Sequence, residues 1–146
     1  MLRPRAGERG DTIVEVLIAI AIVSLVLGGA YVTTNRSLLA TRSAQERGNA
    51  LKLVESQLEQ LKGLSKTDPD AIFGYGTAFC VPPDNIPVGA TDPKCRVNSA
   101  GTQTTAEPSY RLSITQTGNT FSIVNTWTDV GGKITDNVSM VYRLYE

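Results

Sequence analysis

The chain has 146 residues, with 14 basic residues, 14 acidic residues and no histidine. This length suits one small folded unit plus an extra element, and a formal charge of zero gives no global indication of a nucleic-acid partner. Because there is no histidine and the two cysteines lack a metal-like spacing, the sequence argues against a zinc site.

Basic residues precede a long apolar run. Three arginines and one glutamate give the first ten residues a charge of +2, as in an export or insertion signal. Residues 13–32 contain Glu15 as their only charge and Ser24 as their only other strongly polar residue. A helix needs roughly 20 residues to cross a bilayer, so we predict a membrane span. A cleaved secretory signal is the alternative, although its apolar core usually has only about 7–15 residues.

The helical pattern continues beyond the apolar run. No proline occurs between Pro4 and Pro69, so we predict one continuous helix from Thr12 to about Leu64, on the order of 80 Å long. A small domain cannot bury a rod of this length. Its first half therefore needs lipid or other copies of itself, whereas its second half carries an apolar stripe for a domain to pack on. The stripe consists of Ala40, Ala44, Leu51, Val54, Leu58 and Leu61.

Residues 65–108 have the composition of loops and turns. They hold six of the seven prolines and both cysteines, so we expect at most short strands there. If this region lies outside the cytoplasm, Cys80 and Cys95 can form a disulfide that closes a loop of about 16 residues and stabilises the fold by roughly 3 kcal/mol. Two buried free thiols are the alternative.

In the C-terminal region, apolar residues recur at every second position. The stretches "SYRLSITQ", "TFSIVNTWTDV" and "DNVSMVYRLYE" predict three strands, and the glycine-bearing connections "TGN" and "VGGK" predict hairpins. A three-stranded antiparallel sheet follows, with one apolar face for the amphipathic half of the helix to cover. We expect the following residues to face the core: Tyr110, Leu112, Ile114, Phe121, Ile123, Trp127, Val138, Met140, Tyr142 and Leu144.

The carboxylate of Glu15 is unusual in its apolar surroundings. A charge in the hydrocarbon costs roughly 2.5–3.5 kcal/mol on insertion scales, so such a residue usually has a partner or a task. The alternative is structural. Glu15 lies one turn inside the apolar run, close enough to the interface to reach water, and a helix N-terminus favours an anion.

The arrangement around Glu15 resembles a known family. "RAGERG" followed by "DTIVEVLIAIAIVSLVLGG" combines a basic leader, Gly10, Thr12, Glu15 and an unbroken apolar helix. Over about residues 1–60 this is similar to type IV prepilins and to the pseudopilins of type II secretion systems. The resemblance implies that a membrane peptidase cuts between Gly10 and Asp11, that the new N-terminus is commonly methylated, and that Glu15 is the family glutamate.

The implied cut gives Glu15 a physical role. It removes the basic leader and creates a free amine on Asp11. When helices bundle, the amine of one chain can neutralise Glu15 of its neighbour, which favours the polymer over the isolated membrane form. The family usually has phenylalanine where this chain has Asp11, which leaves N-methylation open. The chain also lacks the early proline of many major pilins, which favours a minor or accessory subunit.

The expected fold class is α+β and pilin-like. A long N-terminal spine helix, transmembrane in its first half, carries a small antiparallel sheet on its second half. The expected segments are a leader at 1–10, the transmembrane and assembly half of the helix at 11–34, its amphipathic half at 35–64, a variable loop region at 65–108 and the three-stranded sheet at 109–146.

No catalytic constellation occurs in the sequence, so we do not expect an enzyme. There is no histidine base, no phosphate-binding glycine loop and no nucleophile elbow. Asp68, Asp70, Asp84 and Asp92 lie in turn-like contexts that Asx hydrogen bonding explains. Calcium binding by Asp68 and Asp70 with Asp84 or Asp92 is a weaker alternative, since some pseudopilins bind calcium in comparable loops, and no other cofactor is expected.

The sequence therefore predicts a structural subunit, a minor pilin of a type IV pilus-like filament. The expected partners are other pilin subunits, the prepilin peptidase, an inner-membrane assembly platform and the lipid bilayer, with no nucleic acid indicated. The chain would be a single-pass inner-membrane protein before assembly and part of an extracellular filament afterwards. Two alternatives stay open: a pseudopilin of a type II secretion system, and a membrane-anchored binding module that does not polymerise.

Overall fold

A computed structural model describes residues 11–75, 78–106, 109–128 and 135–144 of the chain. The chain divides into two compact units, Met1–Thr41 and Arg42–Glu146, and the division falls within the first helix. Gly10, the rest of the predicted leader and the predicted "VGGK" turn lie outside the described residues.

The first helix, α1, runs over Asp11–Thr67. The predicted continuous helix is confirmed, and it ends three residues later than expected. Pro69 explains the end of α1, because a proline disfavours helical geometry at the residue before it. Asp68 instead caps a short second helix, α2 (Pro69–Phe73), by accepting a hydrogen bond from the Ala71 backbone N–H at 3.2 Å.

The second unit contains an antiparallel sheet of six strands with the order β2-β1-β4-β5-β6, in which β3 also pairs with β4. The three long strands are the ones that the sequence predicts, and three two-residue strands from the loop region extend the sheet beyond them. The strands are β1 (Phe79–Cys80), β2 (Val88–Gly89), β3 (Arg96–Val97), β4 (Tyr110–Thr117), β5 (Thr120–Thr128) and β6 (Thr135–Arg143).

A disulfide joins Cys80 of β1 to Cys95, the residue directly before β3. Both β1 and β3 lie against the same edge of β4, because Phe79 is the partner of Ile114 and Arg96 is the partner of Arg111. β1 and β3 therefore form a composite strand along β4, with the disulfide at their junction. Residues 81–94 lie between them in the chain and return to the sheet only as β2, which pairs with β1. The predicted pairing of the cysteines is confirmed.

The core lies between residues 50–64 of α1 and one face of the sheet. Two adjoining clusters fill it, one around Val54, Leu61 and Phe121 and the other around the disulfide, Tyr110 and Trp127. The predicted inward residues of β4 and β5 are all buried. The inward residues of β6 are half-buried, because β6 is the last strand of the sheet.

The buried stripe of α1 differs from the predicted stripe. Ala40, Ala44 and Leu51 are exposed, whereas Val54 and Leu61 are buried and Leu58 is half-buried. Residues three or four positions apart lie on nearly the same face of a helix. Leu51 is exposed because it is rotated by about 100° from Ala50, which is buried. The buried residues of this stripe are Ala50, Leu53, Val54, Gln57, Leu61 and Leu64.

Candidate functional site

The first unit presents an apolar helical surface. Every described side chain from Ile13 to Thr41 is exposed, and α1 is long and apolar enough to cross a membrane by length and composition. A helix that exposes hydrocarbon over this length needs an apolar partner, which lipid or other helices can supply. The large apolar side chains on this surface include Ile13, Leu17, Ile20, Val23, Leu25, Leu27 and Tyr31.

Several hydroxyl side chains within this surface form hydrogen bonds with their own helix. The hydroxyl of Ser24 donates to the Ile20 carbonyl at 2.7 Å, and the hydroxyls of Thr33 and Thr34 each donate at 2.9 Å to the carbonyl four residues earlier. A hydroxyl that bonds back to its own helix can enter hydrocarbon without an unpaired donor. Glu15 carries the only charge of residues 13–32, so it is the side chain of this stretch for which an external partner matters most.

Glu15 lies in the first turns of α1 with an exposed side chain. Among the described residues, no ion pair involves its carboxylate. Four residues separate Glu15 from Asp11, a distance of about 6 Å along a helix axis. Asp11 and Thr12 are helical, the structure does not describe their side chains, and Gly10 lies outside the described residues. The predicted roles of these four positions stay predictions.

A stapled loop is the most irregular feature of the second unit. Residues 81–94 connect the two buried cysteines and, apart from the two residues of β2, form a loop on which Ile86 exposes 59% of its surface. Lys94 donates to the Asp84 carboxylate at 2.9 Å across the loop. This hydrogen bond, together with one from the Ile86 N–H, lowers the pKa of Asp84 below its ordinary value.

A buried glutamine fixes the first residue of the loop to α1. The side-chain amide of Gln57 donates to the Val81 carbonyl at 2.7 Å, and its oxygen accepts from the Val81 N–H at 3.1 Å. The side chain thus pairs with Val81 as a neighbouring strand would. Sequence reasoning missed Gln57, although its spacing of three from Val54 and four from Leu61 places it on the buried stripe.

The aspartates that the sequence assigned to turns serve as local acceptors. Asp68 caps α2, and Asp92 accepts from the Lys94 N–H at 2.8 Å at the start of the 3₁₀ turn Pro93–Cys95. Asp84 accepts from the Ile86 N–H at 3.3 Å. These contacts confirm the Asx interpretation of these three residues. Within the described ranges, no group of three or more His, Cys, Asp or Glu side chains is placed to hold a metal ion.

A small polar group lies at one end of the core. The side chain of Asn49 lies near the Tyr110 hydroxyl, and the Asn125 amide donates to the Ala50 carbonyl at 3.2 Å. Burial raises the pKa of Tyr110, an effect to which the nearby Glu46 carboxylate adds, while the side chain of Asn49 lowers it. These residues position α1 against the sheet and were not identified from the sequence.

Comparison with known families identifies the N-terminal segment. A family model described as the prokaryotic N-terminal methylation motif matches residues 5–31. This motif is the leader signature of prepilins and pseudopilins, so the chain carries the signature that the sequence indicated. Searches of curated proteins and of solved structures returned no match to the chain.

Proposed function

We propose that this pilin-like chain is a minor subunit of a type IV pilus-like filament. The observation that carries the proposal is the methylation motif at residues 5–31, which leads into a helix with an exposed apolar surface. A leader with this motif supports processing after Gly10, and the helix surface supports bundling with other subunits. The activity of the protein is then assembly itself.

Glu15 supplies the register of this assembly. Cleavage between Gly10 and Asp11 frees an amine at the start of α1, and Glu15 of an adjacent subunit neutralises it once both helices leave the lipid. A helix slipped along its neighbour would leave the carboxylate unpaired among aliphatic side chains, so the pair selects one register. Close packing of the remaining apolar side chains stabilises the helix bundle but does not select a register.

The proposed partners follow from this route. The bilayer holds the precursor, a prepilin peptidase removes residues 1–10, and an assembly platform in the inner membrane transfers the subunit into a filament of pilin subunits at the cell surface. Asp11 distinguishes this chain from family members with phenylalanine at the first mature position. Its own carboxylate is close to the new amine, so we expect Glu15 to compete with Asp11 for that charge.

The N-terminus of the membrane-extracted protein tests the processing step. Intact-mass and N-terminal analysis should find Asp11 as the first residue. A population that starts predominantly at Met1 or Leu2 would instead support a membrane-anchored module that does not polymerise.

Replacement of Glu15 tests the assembly step. The Glu15→Val variant should insert into the membrane to the same extent as the parent chain. It should enter fibres poorly, because valine cannot neutralise the neighbouring amine. Ser24→Ala is the matched control, since Ser24 bonds within its own helix, and it should assemble normally. Equal fibre incorporation of Glu15→Val and the parent chain would refute the pairing role.

A further inference from the structure

The face of the sheet that points away from α1 carries arginines. Residues 50–64 of α1 cover the side formed by Tyr110, Ile123 and their neighbours, so alternate residues of each strand point to the opposite, solvent side. The strand registers place Arg96, Arg111 and Arg143 on this outer face together with many serines and threonines. Among the described residues of β3–β6, no aspartate or glutamate has an outer-face position.

Two of these arginines are direct cross-strand partners. Arg96 of β3 is paired with Arg111 of β4. Side chains of directly paired residues lie on the same face about 5 Å apart at their Cβ atoms, where like charges destabilise a sheet. Their juxtaposition on a regular part of the sheet places two guanidinium-bearing side chains next to each other.

Hydrogen bonds orient both guanidinium groups. Arg96 Nε donates to the Ser109 hydroxyl at 2.7 Å, and Arg111 Nη1 donates to the Ala90 carbonyl at 3.3 Å. Arg96 and Ser109 also take part in further interactions, so Arg111 is the more accessible cation of the pair. A guanidinium held by one N–H keeps its other donors in a planar fork that suits an oxyanion.

A depression of about 160 Å³ opens beside the two arginines. Four hydroxyl side chains line it with them. The hydroxyl of Thr126 donates to the Arg111 carbonyl at 3.5 Å and that of Ser109 is bound by Arg96, so the hydroxyls of Thr128 and Thr135 are the ones that can donate to an oxyanion. Its described lining includes no carboxylate. The residues of the lining are Arg96, Ser109, Arg111, Thr126, Trp127, Thr128 and Thr135.

We propose that Arg111, supported by Arg96, forms a binding site for a phosphate group on the outer face of the sheet. A phosphate offers a charge of about −1.5 to −2 and three acceptor oxygens. These match the exposed guanidinium of Arg111, with the charge of Arg96 beside it and the hydroxyls of Thr128 and Thr135 nearby, better than a single carboxylate does. The site goes beyond filament assembly, because α1 does not contribute to it. Its ligand is a phosphate ion or a phosphate ester outside the cell.

Titration of the full chain in detergent micelles tests this site. The probes are inorganic phosphate, glycerol phosphate, dimethyl phosphate and succinate, each at constant ionic strength against chloride. The readout is the NMR shift of the Arg111 Nε–H and of the backbone amides of Arg111 and Thr126. We expect saturable shifts with phosphate or with glycerol phosphate. The probe that binds more tightly shows whether the ligand is the free ion or an ester. Binding of dimethyl phosphate would show that the site accepts a diester as well as a monoester.

Variants distinguish a specific phosphate site at Arg111 from general attraction of anions to a positively charged surface. Arg111→Gln should weaken phosphate binding at least about tenfold. The affinity of Arg111→Lys should lie between those of Arg111→Gln and the parent chain, because lysine keeps the charge and loses the planar fork. Arg143→Gln is the matched control on the same face, paired with Thr120 at the opposite end of β5, and should bind within about twofold of the parent. Unchanged thermal midpoints will establish that these variants fold.

Three results would overturn the proposal. The first is the absence of a saturable shift in the parent chain. The second is an equal loss of binding in Arg111→Gln and Arg143→Gln. The third is binding of succinate as tight as that of every phosphate probe. The measurement uses the unassembled chain, so a failure of filament assembly leaves its outcome unaffected.

Discussion

The side chain of Gln57 and the backbone of Val81 exchange two hydrogen bonds, 24 residues apart in the chain. Gln57 is 5% exposed, and Val81 directly follows Cys80 of the disulfide. The helix and the stapled loop are therefore joined by a polar contact inside an apolar core. Because a buried polar group without a partner is costly, this contact also makes the position of the loop on α1 specific.

Gln57→Met should destabilise the second unit by about 1–3 kcal/mol, because the Val81 N–H and carbonyl would stay buried without their partner. Urea unfolding of the full chain in detergent, followed by the fluorescence of Trp127, the single tryptophan, measures the loss. Gln45→Met on the exposed surface of α1 is the control and should change stability by less than about 0.5 kcal/mol. Equal stabilities of the two variants would contradict the role of Gln57.

Replacing both cysteines tests the composite strand. The variant Cys80→Ala/Cys95→Ala should lose roughly 3 kcal/mol of stability, since the chain is then free to open the loop of 81–94. Hydrogen exchange should accelerate at the amides of β1 and β3 more than at those of β5, which the long strands hold on both sides. Uniform acceleration over all strands would indicate that the disulfide acts on the whole unit and does not hold the junction in particular.

Local patterns made the long elements predictable. A period of two specified β4–β6, and the proline-free amphipathic stretch specified α1, because each element carries its own repeat over many residues. The two-residue strands carry no such repeat. Their positions depend on Cys80 meeting Cys95 and on the free edge of β4, and these are contacts between distant parts of the chain.

Polar residues on the buried stripe of α1 were harder to identify. Hydropathy assigns Gln57 and Glu46 to the solvent side, although helical spacing places both in line with Leu61 and Leu64. Asn125 alternates with Ile123 and Trp127 on the inward face of β5 and could have been found in the same way. Gln57 and Asn125 each have a backbone partner, Val81 and Ala50 respectively, and the pattern of apolar residues does not encode such a partner.

Asn125 offers a separate test of polar burial. It is fully buried, its amide donates to the Ala50 carbonyl, and among the described residues its Oδ1 has no hydrogen-bond partner. Asn125→Leu should therefore leave stability unchanged or raise it by about 1 kcal/mol, because it removes a buried acceptor that has no partner and keeps the branched shape of the side chain. Asn125→Asp should lower stability by about 3 kcal/mol, since it buries a charge.

The same urea titration of Trp127 fluorescence checks both variants of Asn125. Because aspartate and asparagine have nearly the same size, Asn125→Asp tests the buried charge without a change of volume. A loss of several kcal/mol in Asn125→Leu would mean that the bond to the Ala50 carbonyl outweighs the unpaired oxygen.

Tyr110 should make stability sensitive to alkaline pH. Burial and the neighbouring Glu46 raise the pKa of Tyr110 in the folded chain, against the lowering effect of the Asn49 side chain. The folded state then binds the phenolic proton more tightly than the unfolded state does. The resulting stabilisation is complete below the ordinary tyrosine pKa of about 10 and is lost as the pH rises from there through the raised pKa of the folded chain.

Absorbance at 295 nm measures this ionisation directly. The difference between the parent chain and Tyr110→Phe should show a titration step above pH 10, and Glu46→Gln should move that step to lower pH because it removes a nearby negative charge. Unfolding free energies of the parent should fall with pH above 10 more steeply than those of Tyr110→Phe. If the two pH profiles are parallel, the Tyr110 hydroxyl is not held in its neutral form by the fold, and the packing of Asn49 and Glu46 around it must be different.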